Sequence, residues 1–409
     1  MAQSHFLFLQ GMPSAFFSRV AHGLEQRGCR TTGINLCMGD RLFWRGKRAV
    51  NYRGTLEEWP TFIASFLARE AVSDLVLLGE QRSYHRAAIA AAQARGIRVT
   101  VTDFGYLRPD WITLERDGMT GTSRFPKDLS VIRQLAGAAP APDLIPRYVD
   151  SALRMALGDL LYNFSNLLFR WRYPYYQQSD RRPHPLRYFP AVAWRLLKGR
   201  AGAGRAQRSV SALLASKARY FVLPLQLEHD FQIVAYSPFP NLLEPLRVVI
   251  GSFAVHRANG TRLVVKLHPW DPGLRNWGQI VARMAREHGI SEHVDHLDGG
   301  DLDALLRGAR GMVTVNSTAG LRALQLGCPV KVLGEAIFDI KGLSFQGSLD
   351  DFWAHAASPV PTDVGAFIGA LAATIQLRGV YFSEPGLSAA VQQAVERLHA
   401  GKVGLVRAD

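Results

Sequence analysis

Short apolar runs that alternate with amphipathic stretches constrain the fold of this chain most strongly. Continuous Val/Leu runs that end in a glycine or polar residue and are followed by helical periodicity are typical of parallel strands in βαβ units. Such runs occur in both halves, at residues 5–11, 74–80, 98–106, 262–269, 311–317 and 329–335. We therefore predict an α/β protein with two Rossmann-like, doubly wound domains in tandem.

Length and composition support two domains and indicate anionic partners. The chain has 409 residues, and a single hydrophobic core stops growing well below this length. Hydrophobic residues make up 48% of the sequence, which is ample for two cores. The formal charge of +14 favours phosphorylated metabolites, nucleic acid or an acidic membrane surface as partners, and composition leaves these three open.

The cysteines and the N-terminal residues indicate the compartment. The only cysteines, Cys29, Cys37 and Cys328, do not form a disulfide framework, and no His/Cys spacing suggests a zinc site. The first residues lack a basic segment followed by a long apolar one, and no run reaches the roughly 18 apolar residues that span a bilayer. We expect a cytoplasmic protein that can attach to a membrane from outside.

The segment 170–208 is basic and aromatic. It holds ten Arg or Lys against one Asp, interleaved with tryptophan, tyrosine and phenylalanine. Its prolines and the stretch "GRAGAGR" predict short pieces and a flexible loop. A solvated connector and a membrane-surface patch both fit this composition. RNA binding also uses basic and aromatic residues, but no RNA-module signature accompanies them.

Polar residues at strand ends in the second half predict a phosphate site. In open parallel sheets, ligands bind beyond the carboxyl ends of the strands. "NSTAGLRALQLG" predicts a helix capped by Ser317 or Thr318, whose hydroxyls and N–H groups suit a phosphate; a plain strand–helix junction would look the same. The histidine of "KLHP" at a neighbouring strand end favours the phosphate and needs no metal. The candidate nucleotide-binding residues are Lys266, His268, Pro269, Asn316, Ser317, Thr318, Glu335 and Gln226.

"QLEHD" (226–230) places several polar residues after an apolar strand. They would serve to cap a helix or solvate a turn. Alternatively, Asp230 is a nucleophile or base beside the nucleotide, because covalent catalysis at a sugar anomeric carbon needs a carboxylate close to the reacting atom. Asp301 and Asp303, the one D-x-D pattern, are interpreted as the capped start of a helix.

The first half contributes a second set of polar residues at its strand ends. Aromatic side chains, carboxylates and arginines hold sugars, and arginine also binds carboxylate groups. Each such residue could equally be a buried structural group, but several at neighbouring strand ends favour a site. The candidates are Gln10, Gly11, Glu80, Arg82, Asp103, Tyr106, Arg108 and Asp110.

Taken together, seven stretches of this sequence resemble the bacterial capsular polysaccharide β-Kdo transferases of the KpsS/LipB type. They run from near the N-terminus to about residue 345: "FLFLQGMPSAFFSRVAHGLEQRG", "NLCMGDRLFW", "DLVLLGEQRSYHRAAI", "DFGYLRPDWITLE", "QLEHDFQI", "KLHPWD" and "VNSTAGLRAL". The resemblance implies a GT-B glycosyltransferase with two domains facing a cleft. Its donor would be CMP-Kdo, where Kdo is 3-deoxy-D-manno-oct-2-ulosonic acid. Transfer would proceed with retention and without a metal or other cofactor.

The resemblance also implies domain limits and residue roles. Residues 1–218 would form the acceptor domain, 219–380 the CMP-Kdo domain, and 381–409 a C-terminal helix able to pack back on the first domain. Asp230 matches the aspartate of the covalent Kdo adduct, and His268-Pro269 and the Ser317–Thr318 turn match the CMP-phosphate contacts. Arg108 or Asp110 would lie on the side of the acceptor or the Kdo carboxylate. Asp103 stands where the family pattern has a glutamate, so either Asp103 or Glu80 is implied as the proton-transfer acid.

The implied acceptor is a lyso-phosphatidylglycerol lipid at the inner face of the inner membrane, where a poly-Kdo linker would start. Other capsule assembly proteins are candidate partners, and nucleic acid is not. The basic aromatic segment agrees with an anionic surface. Two alternatives stay open: a GT-B transferase with another nucleotide sugar, and a non-catalytic lipid-binding component of capsule export. Competition between CMP and UDP for binding would distinguish a CMP-Kdo transferase from a transferase with another nucleotide sugar. Lipid binding without CMP binding would favour the non-catalytic component.

Overall fold

The computed structural model describes residues 3–178, 182–228 and 230–406. Its contacts divide the chain into unit 1, which comprises Met1–Phe125, Gln134–Ser179 and Ile368–Asp409, and unit 2, which comprises Pro126–Arg133 and Asp180–Phe367. Each unit contains one sheet, and helices alternate with its parallel strands. The predicted α/β class with two doubly wound domains is confirmed.

The strands are β1 (His5–Leu9), β2 (Arg30–Asn35), β3 (Ala49–Asn51), β4 (Asp74–Leu78), β5 (Arg98–Phe104), β6 (Trp111–Arg116), β7 (Arg219–Pro224), β8 (Thr261–Lys266), β9 (Val294–Leu297), β10 (Gly311–Thr314), β11 (Val330–Val332) and β12 (Gln376–Arg378). The helices are α1 (Phe16–Gln26), α2 (Met38–Phe43), α3 (Trp59–Arg69), α4 (Ser83–Gln93), α5 (Leu129–Gly137), α6 (Ala152–Leu168), α7 (Pro185–Ala215), α8 (Phe231–Ala235), α9 (Leu243–His256), α10 (Trp277–Glu287), α11 (Leu302–Gly308), α12 (Ala319–Gln325), α13 (Leu349–His355), α14 (Pro361–Thr374) and α15 (Gly386–His399). Short 3₁₀ turns lie at Thr120–Thr122, Arg170–Arg172 and Ser291–His293.

The sheet of unit 1 is mixed, with strand order β12-β6-β5-β4-β1-β2-β3. β3, β2, β1, β4 and β5 are parallel, whereas β6 runs antiparallel to both β5 and β12. The predicted strands at residues 5–11, 74–80 and 98–106 are confirmed. The sequence pattern did not predict β6, which follows β5 after residues 105–110; so short a connection joins antiparallel neighbours, because a parallel crossover needs a dozen residues or more.

The core of unit 1 includes the C-terminal helix α15. Apolar residues of β1, α1, β6 and α15 form one buried cluster, with Phe8, Leu24 and Leu398 among its members. α15 packs against α1 at Gly23, where a Cβ atom would lie 2.8 Å from Val395 Cγ2. The predicted amphipathic C-terminal helix, in the stretch "PGLSAAVQQAVERLHAGK" (385–402), is confirmed by α15, which belongs to the same compact unit as the N-terminus.

The sheet of unit 2 is entirely parallel, with strand order β11-β10-β7-β8-β9. The order of its five strands is the same as that of the five parallel strands of unit 1. In each unit the direction of winding reverses next to the first strand, between β1 and β4 and between β7 and β10. Ligands of open α/β sheets bind at such a switch point, beyond the carboxyl ends of the strands.

The segment 170–208 differs from its prediction. α7 runs through Pro190 and through the "GRAGAGR" stretch as one helix. Pro190 lies near the start of this helix, where its missing N–H costs one helical hydrogen bond. α7 packs within unit 2, since a Cβ atom at Gly300 would lie 2.5 Å from Val210 Cγ2. Residues 179–181 and the side chains of 196–203 lie outside what the structure describes.

The change of unit near residue 180 differs from the predicted boundary at residue 218. The helix that follows residue 180, α7, packs against α11 of unit 2, so it belongs with the domain after it. None of the described helices is long and apolar enough to cross a membrane. The three cysteines are free and buried.

Glu115 is a buried acid that makes the stability of unit 1 depend on pH. Its side chain is 1% exposed and accepts a hydrogen bond from the Ser123 hydroxyl, and burial raises its pKa from 4.5 to about 8. The folded protein therefore keeps a proton that the unfolded chain loses between these two pH values. The contribution of Glu115 to stability therefore falls as pH rises through this window.

We expect Glu115→Gln to remove this loss and to stabilise the protein at pH 8 by roughly 2–5 kcal/mol relative to its effect at pH 4.5. Denaturant unfolding at several pH values measures the difference. Glu287→Gln is the control, because the Glu287 side chain is 61% exposed to solvent on α10. Equal slopes of stability against pH in the wild type and Glu115→Gln would contradict the prediction.

Candidate functional site

Gln226 and Asn316 join the ends of β7 and β10 at the switch point of unit 2. Gln226 Nε2 donates to Asn316 Oδ1 at 3.0 Å, and Asn316 N donates to Gln226 Oε1 at 3.3 Å. Asn316 Nδ2 also donates to the Tyr236 carbonyl at 3.2 Å. Both side chains are buried. The structure thus brings two predicted residues together, and their amides hold three backbone segments around the position where a ligand of this sheet would bind.

The turn after β10 leads directly into α12. Ser317 Oγ accepts from Ala319 N at 3.2 Å, and its carbonyl accepts from Gly320 N at 2.9 Å. The Ser317 N–H, predicted to face a phosphate, already donates to Thr314 Oγ1 at 3.1 Å. Within the described part of the chain, the N–H and hydroxyl of Thr318 make no hydrogen bond. Thr318 is therefore the better placed of the two residues to donate to an anion at this helix start.

His268 follows β8 in a tight turn. Its Nδ1 accepts from Trp270 N at 3.1 Å, and its carbonyl accepts from Asp271 N at 3.0 Å. A neutral ring with an accepting Nδ1 carries its proton on Nε2, which is the tautomer that donates to a phosphate oxygen. The side chain is partly exposed, as is required for contact with a ligand, and Pro269 is exposed. The buried Asp271 accepts from Gly273 N and Trp277 Nε1 and so holds the rest of this turn.

Lys266 and Glu335 occupy separate parts of unit 2. Lys266 is buried at the end of β8, and burial lowers its pKa while Asp298 and Asp301 oppose that shift. Glu335 is exposed after β11. β10 and β7 lie between β8 and β11, so Lys266 and Glu335 do not form an ion pair with each other.

The "QLEHD" stretch connects the end of β7 to α8. Glu228 forms a two-pronged ion pair with Arg275, with Oε1 2.7 Å from Nη2 and Oε2 2.8 Å from Nε. Asp230 is partly exposed at the start of α8, where its N–H donates to the Leu227 carbonyl at 3.0 Å. His229 lies outside the described residues. Because Gln226 is anchored at the switch point, Asp230 is held a few residues from it.

A buried polar network surrounds Gln10 at the switch point of unit 1. Gln10 Nε2 donates to the hydroxyls of Tyr162 and Tyr176, each at 3.3 Å. The Tyr162 hydroxyl donates to Asp40 Oδ1 at 2.8 Å, and burial raises the Asp40 pKa. Gln10 also has a φ of 30°, which L residues rarely adopt. A Cβ atom at Gly11 would lie 2.6 Å from Phe17.

Asp40, Tyr162 and Tyr176 were not among the candidate residues predicted from the sequence. Asp40 lies within the "NLCMGDRLFW" stretch, and its position just after β2 is the one local feature that could have identified it as a candidate site residue. The two tyrosines come from α6 and the segment beyond it, more than a hundred residues later in the chain. No spacing in the sequence links them to Gln10, so only the fold reveals the network.

Arg82 and Asp103 carry opposite charges at neighbouring strand ends of unit 1. Asp103 Oδ1 accepts from Phe104 N at 2.7 Å. Burial raises the pKa of Asp103, while the charges of Arg108 and Arg82 lower it. Arg82 also lowers the pKa of Asp40, although no ion pair within 4.0 Å joins Arg82 to a described residue. These residues combine a carboxyl that holds a proton more readily than usual with arginines that attract an anion.

Glu80 and Tyr106 hold a loop of unit 1. Glu80 Oε1 accepts from Met119 N at 3.1 Å and from Thr122 Oγ1 at 2.9 Å, and burial raises its pKa. The Tyr106 hydroxyl accepts from Thr120 N at 2.9 Å. Both side chains are buried, so their hydrogen bonds stabilise the turn at residues 119–122. These contacts are structural.

Asp110 and Arg108 differ sharply in accessibility. Asp110 is fully buried, and its Oδ2 accepts from Arg147 N, Tyr148 N and Arg378 Nε at 2.7, 3.0 and 2.9 Å. A ligand cannot reach this carboxylate, so Asp110 is not retained among the acceptor candidates. Arg108 is exposed, with its guanidinium 5.1 Å from the centre of the Phe104 ring. Among the described residues, no group of three or more His, Cys, Asp or Glu could hold a metal ion.

Comparison with known proteins places the chain among capsule proteins. It is 30% identical over 383 residues to the capsule polysaccharide export protein KpsS of Escherichia coli, covering 92% of this chain and 96% of KpsS. It is 30% identical over 367 residues to the capsule polysaccharide modification protein LipB of Neisseria meningitidis serogroup B, covering 88% and 87%. The solved β-Kdo 2,7 transferase KpsC of Thermosulfurimonas dismutans aligns with 96% of this chain and 99% of its own at 13% identity and a TM-score of 0.45. Residues 73–382 match the family described as "Capsule polysaccharide biosynthesis protein", and the chain belongs to that family.

Proposed function

We propose that this protein is a retaining β-Kdo glycosyltransferase that moves Kdo from CMP-Kdo to a lyso-phosphatidylglycerol acceptor at the inner face of the inner membrane. The product would start the poly-Kdo linker of a capsular polysaccharide. Family membership supports a role in capsule synthesis, and the sequence resemblance to β-Kdo transferases supports the sugar. The observation that carries the proposal is the Gln226–Asn316 bridge at the switch point of unit 2, with Thr318 and His268 at the strand ends on either side.

The donor site in this proposal neutralises the phosphate of CMP as it leaves. His268 donates from Nε2, and Thr318 donates from its N–H and hydroxyl, with the positive end of the α12 backbone dipoles behind it. Gln226 and Asn316 hold the turn that leads to Thr318, and Asp271 holds the turn that follows His268. Lys266 adds positive charge from the neighbouring strand without contacting Glu335.

In the first chemical step, a carboxylate oxygen of Asp230 attacks C2 of the Kdo unit. The bond between C2 and the phosphate oxygen breaks, and CMP departs with both electrons of that bond. In the second step the acceptor hydroxyl oxygen attacks C2 from the opposite face, and the Asp230 carboxylate leaves. Two inversions give net retention, as in retaining glycosidases. The proton of the acceptor hydroxyl passes to a carboxylate of unit 1.

Asp103 is the proton acceptor that the structure of unit 1 favours over Glu80. Asp103 is partly exposed, and arginines lie close enough to act on its charge. Glu80 is buried and already accepts two hydrogen bonds from the loop that it holds. Arg82 and Arg108 would then meet the Kdo carboxylate or the acceptor phosphate, with Gln10 nearby on β1.

Incubation of the purified protein with CMP-Kdo and a lyso-phosphatidylglycerol analogue, followed by mass spectrometry of the lipid, tests the proposal. We expect a mass gain of one or more Kdo units. If the lipid gains no mass with CMP-Kdo, and UDP binds the protein more tightly than CMP, the donor is a different nucleotide sugar. If the protein binds the lipid but does not bind CMP, it is a non-catalytic component of capsule export and not a transferase.

We expect His268→Ala to weaken CMP binding by roughly 10- to 100-fold, because it removes a hydrogen bond to a charged phosphate. Isothermal titration with CMP measures the change. His256→Ala is the matched control, since His256 lies on α9 and pairs with Asp350. Unchanged CMP affinity in His268→Ala would exclude the phosphate role.

A further inference from the structure

Helix α6 of unit 1 carries an exposed apolar stripe. The helix has 17 residues and is about 25 Å long. Its exposed large apolar side chains recur every three or four residues, which places them on one face. They are Leu153 (69% exposed), Leu157 (48%), Leu161 (54%), Phe164 (37%) and Leu168 (71%). Soluble proteins rarely expose a continuous apolar strip of this length unless something binds it.

The opposite face of α6 is tightly packed, so the stripe is held outward. A Cβ atom at Gly158 would lie 2.4 Å from the Pro13 carbonyl oxygen, and one at Gly39 would lie 2.4 Å from the Tyr162 ring. Gly39 N also donates to Asn166 Oδ1 at 2.6 Å. These close contacts fix the rotation of the helix about its axis. The exposure of the leucines is therefore a property of the folded unit.

Basic and aromatic residues continue from the end of the stripe. α6 is followed at once by the 3₁₀ turn Arg170–Arg172, in which Trp171 is exposed, and then by the exposed Tyr175. The charged residues within α6 are Arg154 and Asp159. Asp159 accepts from Asn163 Nδ2, on the side of the helix away from the leucines. No acid interrupts the stripe, and arginines stand at both of its ends.

We propose that the α6 stripe and the Arg170–Arg172 turn dock this protein on an anionic lipid bilayer. The leucines and Phe164 would enter the boundary between headgroups and acyl chains, with α6 in the plane of the membrane. Trp171 and Tyr175 suit the headgroup level, and the arginines suit lipid phosphates. The proposal extends the proposed function by naming the surface that reaches a lipid acceptor, but docking itself does not depend on the reaction.

Charge favours a bilayer over a second copy of this chain. A two-fold interface between two stripes would place arginine-bearing ends against each other in either relative direction of the helices. Nearby acids have other partners: Asp150 accepts from Ser151 N and Phe382 N, and Asp143 pairs with Arg147. Like charges would thus face each other without compensation. An anionic membrane supplies the missing negative charge.

Co-sedimentation with vesicles tests the proposal. The wild type should bind vesicles that contain phosphatidylglycerol and should bind phosphatidylcholine vesicles less. The triple variant Leu153→Ser, Leu157→Ser, Leu161→Ser should lose about tenfold or more of its partitioning, because each buried leucine contributes to membrane affinity. Arg170→Gln with Arg172→Gln should weaken binding to the anionic vesicles only. The matched control replaces three exposed apolar residues of unit 2, Val248, Val255 and Leu274, with serine and should bind like the wild type.

Three further readouts keep the test decisive. Circular dichroism of the triple variant should show the helix content of the wild type, so that weaker vesicle binding is not due to unfolding. The single variant Leu157→Ser, which perturbs the fold least, should also bind vesicles more weakly than the wild type. Transfer to a short-chain, water-soluble acceptor should persist in the triple variant, so that failure of docking and failure of the proposed chemistry give different results. Vesicle binding equal to the wild type in the triple variant would overturn the proposal. A wild-type dimer that the triple variant converts to a monomer, with vesicle binding unchanged, would assign the stripe to self-association instead.

Discussion

Replacement of Asp230 with alanine is expected to reduce Kdo transfer by roughly 10³-fold or more, because a covalent mechanism has no substitute for its nucleophile. CMP affinity should stay close to that of the wild type, since the proposed phosphate contacts come from His268 and Thr318. The transfer assay and CMP titration together measure both effects. A variant that still transfers Kdo at near the wild-type rate would refute the nucleophile assignment.

Glu228 provides the matched control for Asp230. It lies in the same "QLEHD" stretch and carries the same charge, but its carboxylate is held by Arg275 in an ion pair with N–O distances of 2.7 and 2.8 Å. Glu228→Gln should therefore retain most of the transfer activity. Loss of activity in Glu228→Gln to the same extent as in Asp230→Ala would indicate a structural requirement of the whole stretch.

Asp103→Asn is expected to lower kcat by about 10²- to 10⁴-fold, the usual contribution of a general base. Burial raises the pKa of Asp103, and the base form exists only above that pKa. The rate of the wild type should therefore fall as pH decreases through the raised pKa of Asp103, and Asp103→Asn should lack this acid limb. A pH profile of kcat for both proteins measures the difference.

Glu80→Gln is compared with Asp103→Asn to decide which of the two acids is the general base. Glu80 also has a raised pKa, but unlike Asp103 it is buried, and Met119 N and Thr122 Oγ1 donate hydrogen bonds to it. Its replacement should lower thermal stability and leave the pH profile of kcat intact. An active Asp103→Asn protein beside an inactive Glu80→Gln protein would transfer the acid–base role to Glu80.

The strand ends illustrate how far local patterns reach. The strands β1, β8 and β10 were predictable from the sequence, because a buried parallel strand is apolar throughout. The end of each apolar run then identifies the residues that follow the strand. Asp301 as a helix cap was equally readable, and its carboxylate accepts from Asp303 N and Ala304 N at 2.9 and 3.3 Å. Where a residue's environment is made by its chain neighbours, the sequence predicts it.

Environments made by distant segments were not predictable in this way. Asp110 and Asp103 are both acids in the same quoted stretch, yet Arg378 and two backbone N–H groups bury one of them, while the other stays partly exposed. Tyr162 reaches Asp40 across 122 positions in the chain, and no periodicity encodes that contact. The same holds for α6, whose apolar residues are typical of a core helix and lie outside because Gly158 packs against Pro13.

The sequence by itself determined the α/β class, the positions of most strands and helices, and which residues follow the carboxyl ends of the strands. These depend on hydrophobic periodicity and on capping residues, which act over a few neighbouring positions. Only the tertiary structure decided the unit to which α7 and α15 belong, the antiparallel placement of β6, and which acids are accessible. Packing decides these, because burial and partners come from segments far apart in the chain.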